Sequence, residues 1–193
     1  MGRIVVVNFM SIDGVIQSPL FEGEDRDGGF ARGGWILPYS DDTVNAFMQE
    51  STVGAAGMLL GRRSYEILRD AWSQVDDSEP AVAAMNRMAK YVVASAGIDR
   101  SWPNSHALGG DFPRSVIDLA ARTDGDLVVF GSGALVRGLA ENDLIDEYRL
   151  LIFPLVLGGG KRMFDGHGHF SMFTLTGSVV TPSGVVIVTY TRA

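Results

Sequence analysis

Apolar residues in this chain fall in short dense runs, and between them lie stretches with helical spacing. Ile4 to Phe9 is a continuous apolar run broken only by Asn8, the pattern of a central strand covered on both faces. Gly57–Leu60, Lys90–Ala94 and Leu127–Phe130 read as further buried strands, and Asp146–Phe153 as a longer one. Asp41 or Asp42 can N-cap a helix that carries Val44, Phe47 and Met48 on one face. Helices are also predicted over Ser64–Ala71, Ala81–Met88, Phe112–Arg122 and Ala134–Glu141. The tail changes character: Phe173–Val180 and Val185–Thr191 flank Pro182-Ser183-Gly184, a hairpin signal. Strand–helix units followed by an antiparallel finish predict an α/β protein with a mixed sheet, and no linker divides residues 1–193 into two domains.

Two segments depart from this rhythm. Ser11-Ile12-Asp13-Gly14 reads as a surface turn, because Asp-Gly is a common turn pair. Residues 17–39, rich in glycine and acidic side chains, read as a mobile loop that can cover a site.

Composition narrows the chemistry. The net charge of −7 argues against general nucleic-acid binding. With no cysteine, the chain has no disulfide, thiolate metal site or cysteine nucleophile, which suits a cytoplasmic protein. The apolar runs are too short to span a bilayer, and Met1-Gly2-Arg3 leads straight into Ile4–Val7, a strand rather than a signal peptide. His167 and His169 have a metal-like spacing without matching acidic partners, so no metal is expected; His106 stands alone.

The chemistry concentrates at two turns, each a buried strand, a glycine and a helix: Leu60-Gly61-Arg62-Arg63-Ser64 and Phe130-Gly131-Ser132-Gly133-Ala134-Leu135. Such turns bring backbone N–H groups and a helix N-terminus up to a phosphate. Arg62 and Arg63 can fork onto a phosphate monoester, which favours NADPH over NADH; Arg62 can instead brace the fold. The basic Gly158-Gly159-Gly160-Lys161-Arg162 segment reads as a flexible connector rather than a phosphate loop, since no helix follows it.

Four segments, in this order and spacing, resemble the dihydrofolate reductase-like superfamily. They are Ser11–Ile16, Leu60–Glu66, Val129–Gly133 with Leu135, and Asp143–Leu150 running on through Pro154–Phe164. Within it, the chain is most similar to stand-alone relatives of the C-terminal reductase domain of the bifunctional riboflavin-biosynthesis protein. The resemblance implies a three-layer α/β/α fold with a mostly parallel central sheet and an antiparallel C-terminal hairpin. It implies NADPH as cofactor and a pterin-like or ribosylaminopyrimidine heterocycle as substrate. The alternatives are dihydrofolate reductase activity, or a nucleotide-binding protein of the same fold without catalysis.

The resemblance also assigns residues. Gly61, Arg62, Arg63 and Ser64 match the turn that receives the adenosine 2′-phosphate, and Ser95 a position near the adenosine. Gly131, Ser132 and Gly133, with Ala134 and Leu135, match the turn facing the pyrophosphate; Ser132 stands where dihydrofolate reductase has a second glycine. Asn8, Phe9 and Ile16 match the nicotinamide pocket. Dihydrofolate reductase protonates substrate with a carboxylate after a Trp-x-Leu-Pro segment. Here Trp35-Ile36-Leu37-Pro38 puts Ser40 at that place, with Asp41 and Asp42 next to it, and either can be an acid or an N-cap. Riboflavin-type reductases do not need that carboxylate. Their reductase domains associate through the antiparallel end of the sheet. The apolar faces of strands 146–153, 173–180 and 185–191 point the same way, to a homodimer.

Overall fold

In the computed structural model, which describes residues 1–164 and 170–193, the first apolar run becomes strand β1 (Arg3–Ser11). Helix α1 (Asp42–Val53), strand β2 (Ala55–Gly61), helices α2 (Arg62–Trp72) and α3 (Pro80–Arg87), and strands β3 (Ala89–Val93) and β4 (Ser105–Leu108) follow. The chain then returns through α4 (Arg114–Arg122), β5 (Asp126–Phe130), α5 (Gly133–Glu141) and β6 (Glu147–Phe153), and ends in β7 (Phe173–Val180) and β8 (Val186–Arg192). The strands form one eight-stranded sheet of order β4-β3-β2-β5-β1-β6-β8-β7. Every pair from β4 to β6 is parallel, and β8 pairs antiparallel with both β6 and β7.

Strand alternation divides the core in two. Ile4, Val6, Leu59, Leu127 and Val129 face α4 and α5, packing on Val116, Leu119, Val136 and Leu139. Val5, Val7, Met58, Leu60 and Val128 face the other way, onto Val44 of α1 and Tyr65 of α2. That is the expected three-layer sandwich. Among the described residues no helix is long and apolar enough to cross a membrane.

Strand β4 was not expected from the sequence. Its four residues include the exposed His106, which stacks on Tyr91 of the neighbouring strand rather than standing alone. Both faces of β8 are covered by its own chain: Ile187 joins one core and Val188 the other. The edge strand β7 is different, with Leu175, Val179 and Val180 exposed.

Candidate active site

Parallel strands that carry helices on both faces leave a crevice beyond their carboxyl ends, where the strand order reverses. Here that edge is formed by β2, β5 and β1, and the two glycine turns stand on it side by side. The Gly61 N–H donates to Ser132 Oγ at 3.0 Å, and the Ser132 N–H donates to Ser64 Oγ at 2.9 Å. Buried Asn8 on β1 grips the second turn from below, accepting from the Gly131 N–H at 2.7 Å and donating to the Gly131 carbonyl at 3.3 Å.

Gly131 and Ser132 are both left-handed, with φ of 61° and 53°. The left-handed conformation costs a non-glycine residue roughly 1–2 kcal/mol. The hydrogen bonds through the Ser132 hydroxyl and amide offset that cost, which is how serine serves where a second glycine would be the easier choice. Neither N-cap residue, Gly61 of α2 or Ser132 of α5, caps its own helix with a side chain, so among the described residues the opening N–H groups of both helices are left available beyond the sheet. Gly133 lies so close to Ile16 that an added Cβ would come within 3.1 Å of its Cδ1. Ile16 thus lies against this turn; Ala134 is exposed and Leu135 is buried beneath it.

The two arginines of the first turn are divided between different tasks. Arg62 donates to the carbonyl of Ala96 at 2.6 Å, bracing the loop that follows β3, where Ser95 is exposed. Arg63 donates to the buried carboxylate of Asp25 at 2.5 Å. The other Asp25 oxygen accepts from Lys161 at 2.9 Å, and Lys161 also reaches Asp27 at 2.8 Å. Burial raises the Asp25 pKa, but the hydrogen bonds from Arg63 and Lys161 outweigh it and hold the carboxyl below its ordinary value.

Residues 17–39, expected to be mobile, are pinned. The Gln17 amide donates 3.0 Å bonds to the carbonyls of both Asp25 and Asp27, and accepts from the Lys161 N–H at 2.9 Å. Trp35 is buried and donates to the Gln17 carbonyl at 2.8 Å. The glycine-rich segment is no loose connector either. Ile16 N–H bonds the Lys161 carbonyl and Met163 N–H the Gly14 carbonyl, so it lies beside residues 14–17 as an added rung. Asp13, expected as a surface turn residue, organises this junction. It accepts from Ser11 Oγ and from the N–H groups of Leu157 and Gly158, bonds that lower its pKa to about 2.

The carboxylates considered as proton donors sit elsewhere. Asp41 is the N-cap of α1, accepting from the Val44 N–H at 2.8 Å and from the Ser183 N–H at 3.0 Å. The Val44 bond comes first among the causes that hold it well below the usual carboxylate range, the reverse of what an acid at neutral pH needs. Of the two readings of Asp41, the structure therefore shows the cap. Asp42 is exposed in the first turn of the helix. Phe9 points into an aromatic cluster around buried Phe153, with ring centroids 5.7 Å apart; Trp35 and Tyr39 complete it at 5.4 and 5.9 Å. His167 and His169 lie outside the described residues.

A parallel sheet sandwiched by helices, one antiparallel strand near its far edge and paired glycine turns on its crevice define a dihydrofolate reductase-like protein. The RibD C-terminal domain family model matches residues 3–187, and the chain belongs to that family of reductase domains. Solved structures agree on the fold. A Shewanella sp. PV-4 protein provisionally assigned to riboflavin biosynthesis superposes with a TM-score of 0.73 at 19% identity, over 99% of each chain. A pyrimidine reductase-like protein from Corynebacterium diphtheriae gives 0.66 at 11% identity, over 100% of this chain and 92% of its own. Dihydrofolate reductase from Enterococcus faecalis, in complex with NADP(H), gives 0.64 at 14% identity, over 99% and 96%. No curated protein sequence matches the chain.

Proposed function

We propose that this protein is an NADPH-dependent reductase of a ribosylaminopyrimidine or pterin-like heterocycle, acting in the cytoplasm. The observation that carries the reading is the pair of uncapped helix starts at Gly61 and Gly131–Gly133, stitched together on the crevice of a RibD C-terminal domain fold. Such a pair suits a ligand with two phosphate groups a nucleoside apart. When bound, the cofactor supplies hydride. The chain's part is to hold the phosphates at Arg63, Ser64 and the amides of 133–135, and to keep water out with the pinned segment 14–36. Asp41, committed to capping, weighs against a dihydrofolate reductase type of proton donation and so favours the pyrimidine substrate.

The test is to titrate NADPH and NADH, then follow NADPH oxidation with the ribosylaminopyrimidine and with dihydrofolate. NADPH is expected to bind about tenfold tighter or better, one charge-assisted contact's worth, and to be oxidised with the pyrimidine. Equal affinities for the two cofactors would overturn the assignment of the Arg63 turn. We further propose a homodimer through the β7 edge, supported by exposed Leu175, Val179 and Val180. Light scattering giving a mass near the 20.8 kDa chain weight, unchanged on concentration, would exclude it.

A further inference from the structure

Asp25 is a carboxylate in the wrong place for a simple phosphate site. It lies on a loop 38 residues before Arg63, yet its oxygen meets the guanidinium at the helix start where a phosphate should be welcome. Its side chain is 9% exposed, whereas those of Arg63 and Lys161 are 58% and 44% exposed. The anion is tucked under cations that still face solvent. Arg63 and Lys161 together are matched by Asp25 and Asp27, so the group is neutral, and an arriving dianion meets no net attraction while the carboxylate stays.

We propose that Asp25 is a specificity-determining residue that stands in for the cofactor's 2′-phosphate, and that a phosphate-bearing cofactor binds by taking Arg63 and Lys161 from it. The inference rests on the NADPH reading above. Local structure suits such an exchange. Asp25 is held from behind by hydrogen bonds that do not involve the cations: its N–H donates to Ser18 Oγ at 3.0 Å, and its carbonyl accepts from Gln17. Gly23, Gly28 and Gly29 flank it with φ of 87°, 66° and 76°, so the tip is built from residues that turn freely. Its neighbours Gly23 and Arg26 line, with Glu22, Gly29, Phe30 and Ala31, a half-open depression of about 270 Å³. A phosphate monoester brings twice the charge of a carboxylate and three oxygens, so it wins both cations. NADH brings no group that competes for them. The contact therefore tempers the preference for NADPH: a dianion takes the cation pair only after displacing the carboxylate, and NADH is indifferent to it.

The experiment compares wild type with Asp25→Asn, which keeps the side chain's shape and removes its charge. Three probes are titrated by calorimetry: NADPH, NADH and ribose 5-phosphate. Removing the competing charge is expected to tighten NADPH about tenfold and to leave NADH within about twofold. Ribose 5-phosphate stands for a phosphate on the substrate; as a dianion it can also reach the freed cation pair, and its gain is expected to be smaller than that of NADPH, whose nucleotide holds the phosphate there. Unchanged or weaker NADPH binding in a variant that still prefers NADPH over NADH overturns the stand-in and leaves the cofactor reading intact. Absence of any NADPH preference in both proteins overturns that reading and the stand-in with it. A gain confined to ribose 5-phosphate overturns the 2′-phosphate assignment.

A second measurement needs no variant. The Asp27 N–H donates to Asp25 Oδ1 at 3.0 Å. NADPH is expected to speed its hydrogen exchange in the wild type by freeing that N–H, and NADH to leave it unchanged. Slower exchange with NADPH would mean that Asp25 closes over the cofactor instead, and would overturn the proposal.

Discussion

Two clusters of four charges sit at opposite ends of the same parallel sheet, and they use the same chemistry differently. At the amino ends of the strands, Arg3 of β1 forks onto Asp126 of β5 with bonds of 2.9 and 2.8 Å and reaches Glu147 of β6 at 3.1 Å. Arg149 closes the ring, 2.6 Å from Glu147 and 3.3 Å from Asp126. Every member stands on a strand, and strand register fixes its position before any ion pair forms. At the carboxyl ends, Asp25 and Lys161 stand on loops, Asp27 opens a single three-residue 3₁₀ turn (Asp27–Gly29), and only Arg63 belongs to a helix of the sandwich. The first cluster is a rivet and the second a clasp. Charge pairing strengthens a fold where strand register has already placed the partners, and contributes less where the partners stand outside the sheet and the cations face solvent.

The sharpest way to break this contrast is to delete one carboxylate from each cluster and measure urea unfolding. Glu147→Ala is expected to cost about 3 kcal/mol, the low end for a buried pair, because Arg3 is half-exposed and Asp126 still faces both arginines. Asp25→Ala is expected to cost under about 1 kcal/mol, because its cations are solvated. Equal costs would erase the distinction.

An uncharged tie at the carboxyl end offers an intermediate case. Asn8→Ala leaves the Gly131 N–H without its acceptor at a half-buried site, for an expected loss of about 2 kcal/mol in unfolding free energy. Cofactor affinity is expected to fall with it, because the turn loses its support. Normal NADPH binding in a folded Asn8→Ala protein would show that the turn is fixed by its serines alone.

Lys90 supplies a cation with no carboxylate partner among the described residues. It is fully buried, donates to the carbonyls of Asn86 and Pro103, and lies 4.5 Å over the Trp102 ring. Burial lowers its pKa from 10.5 to about 8. Between those values the unfolded chain binds the extra proton and the folded one does not, so stability should climb as pH rises from 8 to 10.5. Lys90→Met should lack that climb in a pH series of unfolding curves. The smallest effect is expected at Asp13, whose folded pKa of about 2 lies below the ordinary 3.8. Its contribution is complete above 3.8 and fades as pH falls through 2, so Asp13→Asn should flatten the acid side of the stability profile there.

These residues also show what sequence could and could not reveal. Short apolar runs and helical spacing carried the layers, because burial on one or two faces is written in the periodicity of each element. The glycine turns were legible because a tight strand-to-helix turn restricts residue type locally, most of all at Gly131, where the backbone is left-handed. Strand β4 escaped, since Ser105-His106-Ala107-Leu108 is too short and polar to show a period; pairing with β3 makes it a strand. Asp25 and Gln17 escaped for a different reason. Their partners lie 38 and 144 residues away, and nothing local separates them from solvated loop residues. Asp13 was visible but undervalued, because its partners Leu157 and Gly158 arrive only when residues 154–163 fold back.

The serine exchange between the two turns has one more consequence. Ser64 and Ser132 each accept a main-chain N–H, and together they bolt the start of α2 to the start of α5. Neither helix can slide along its axis without carrying the other. The spacing between the two helix starts is therefore fixed by the chain itself. On the proposed reading of the two turns as anion sites, molecules would be selected by span: one whose two anionic groups sit too close or too far apart would engage one end and gain nothing from the other.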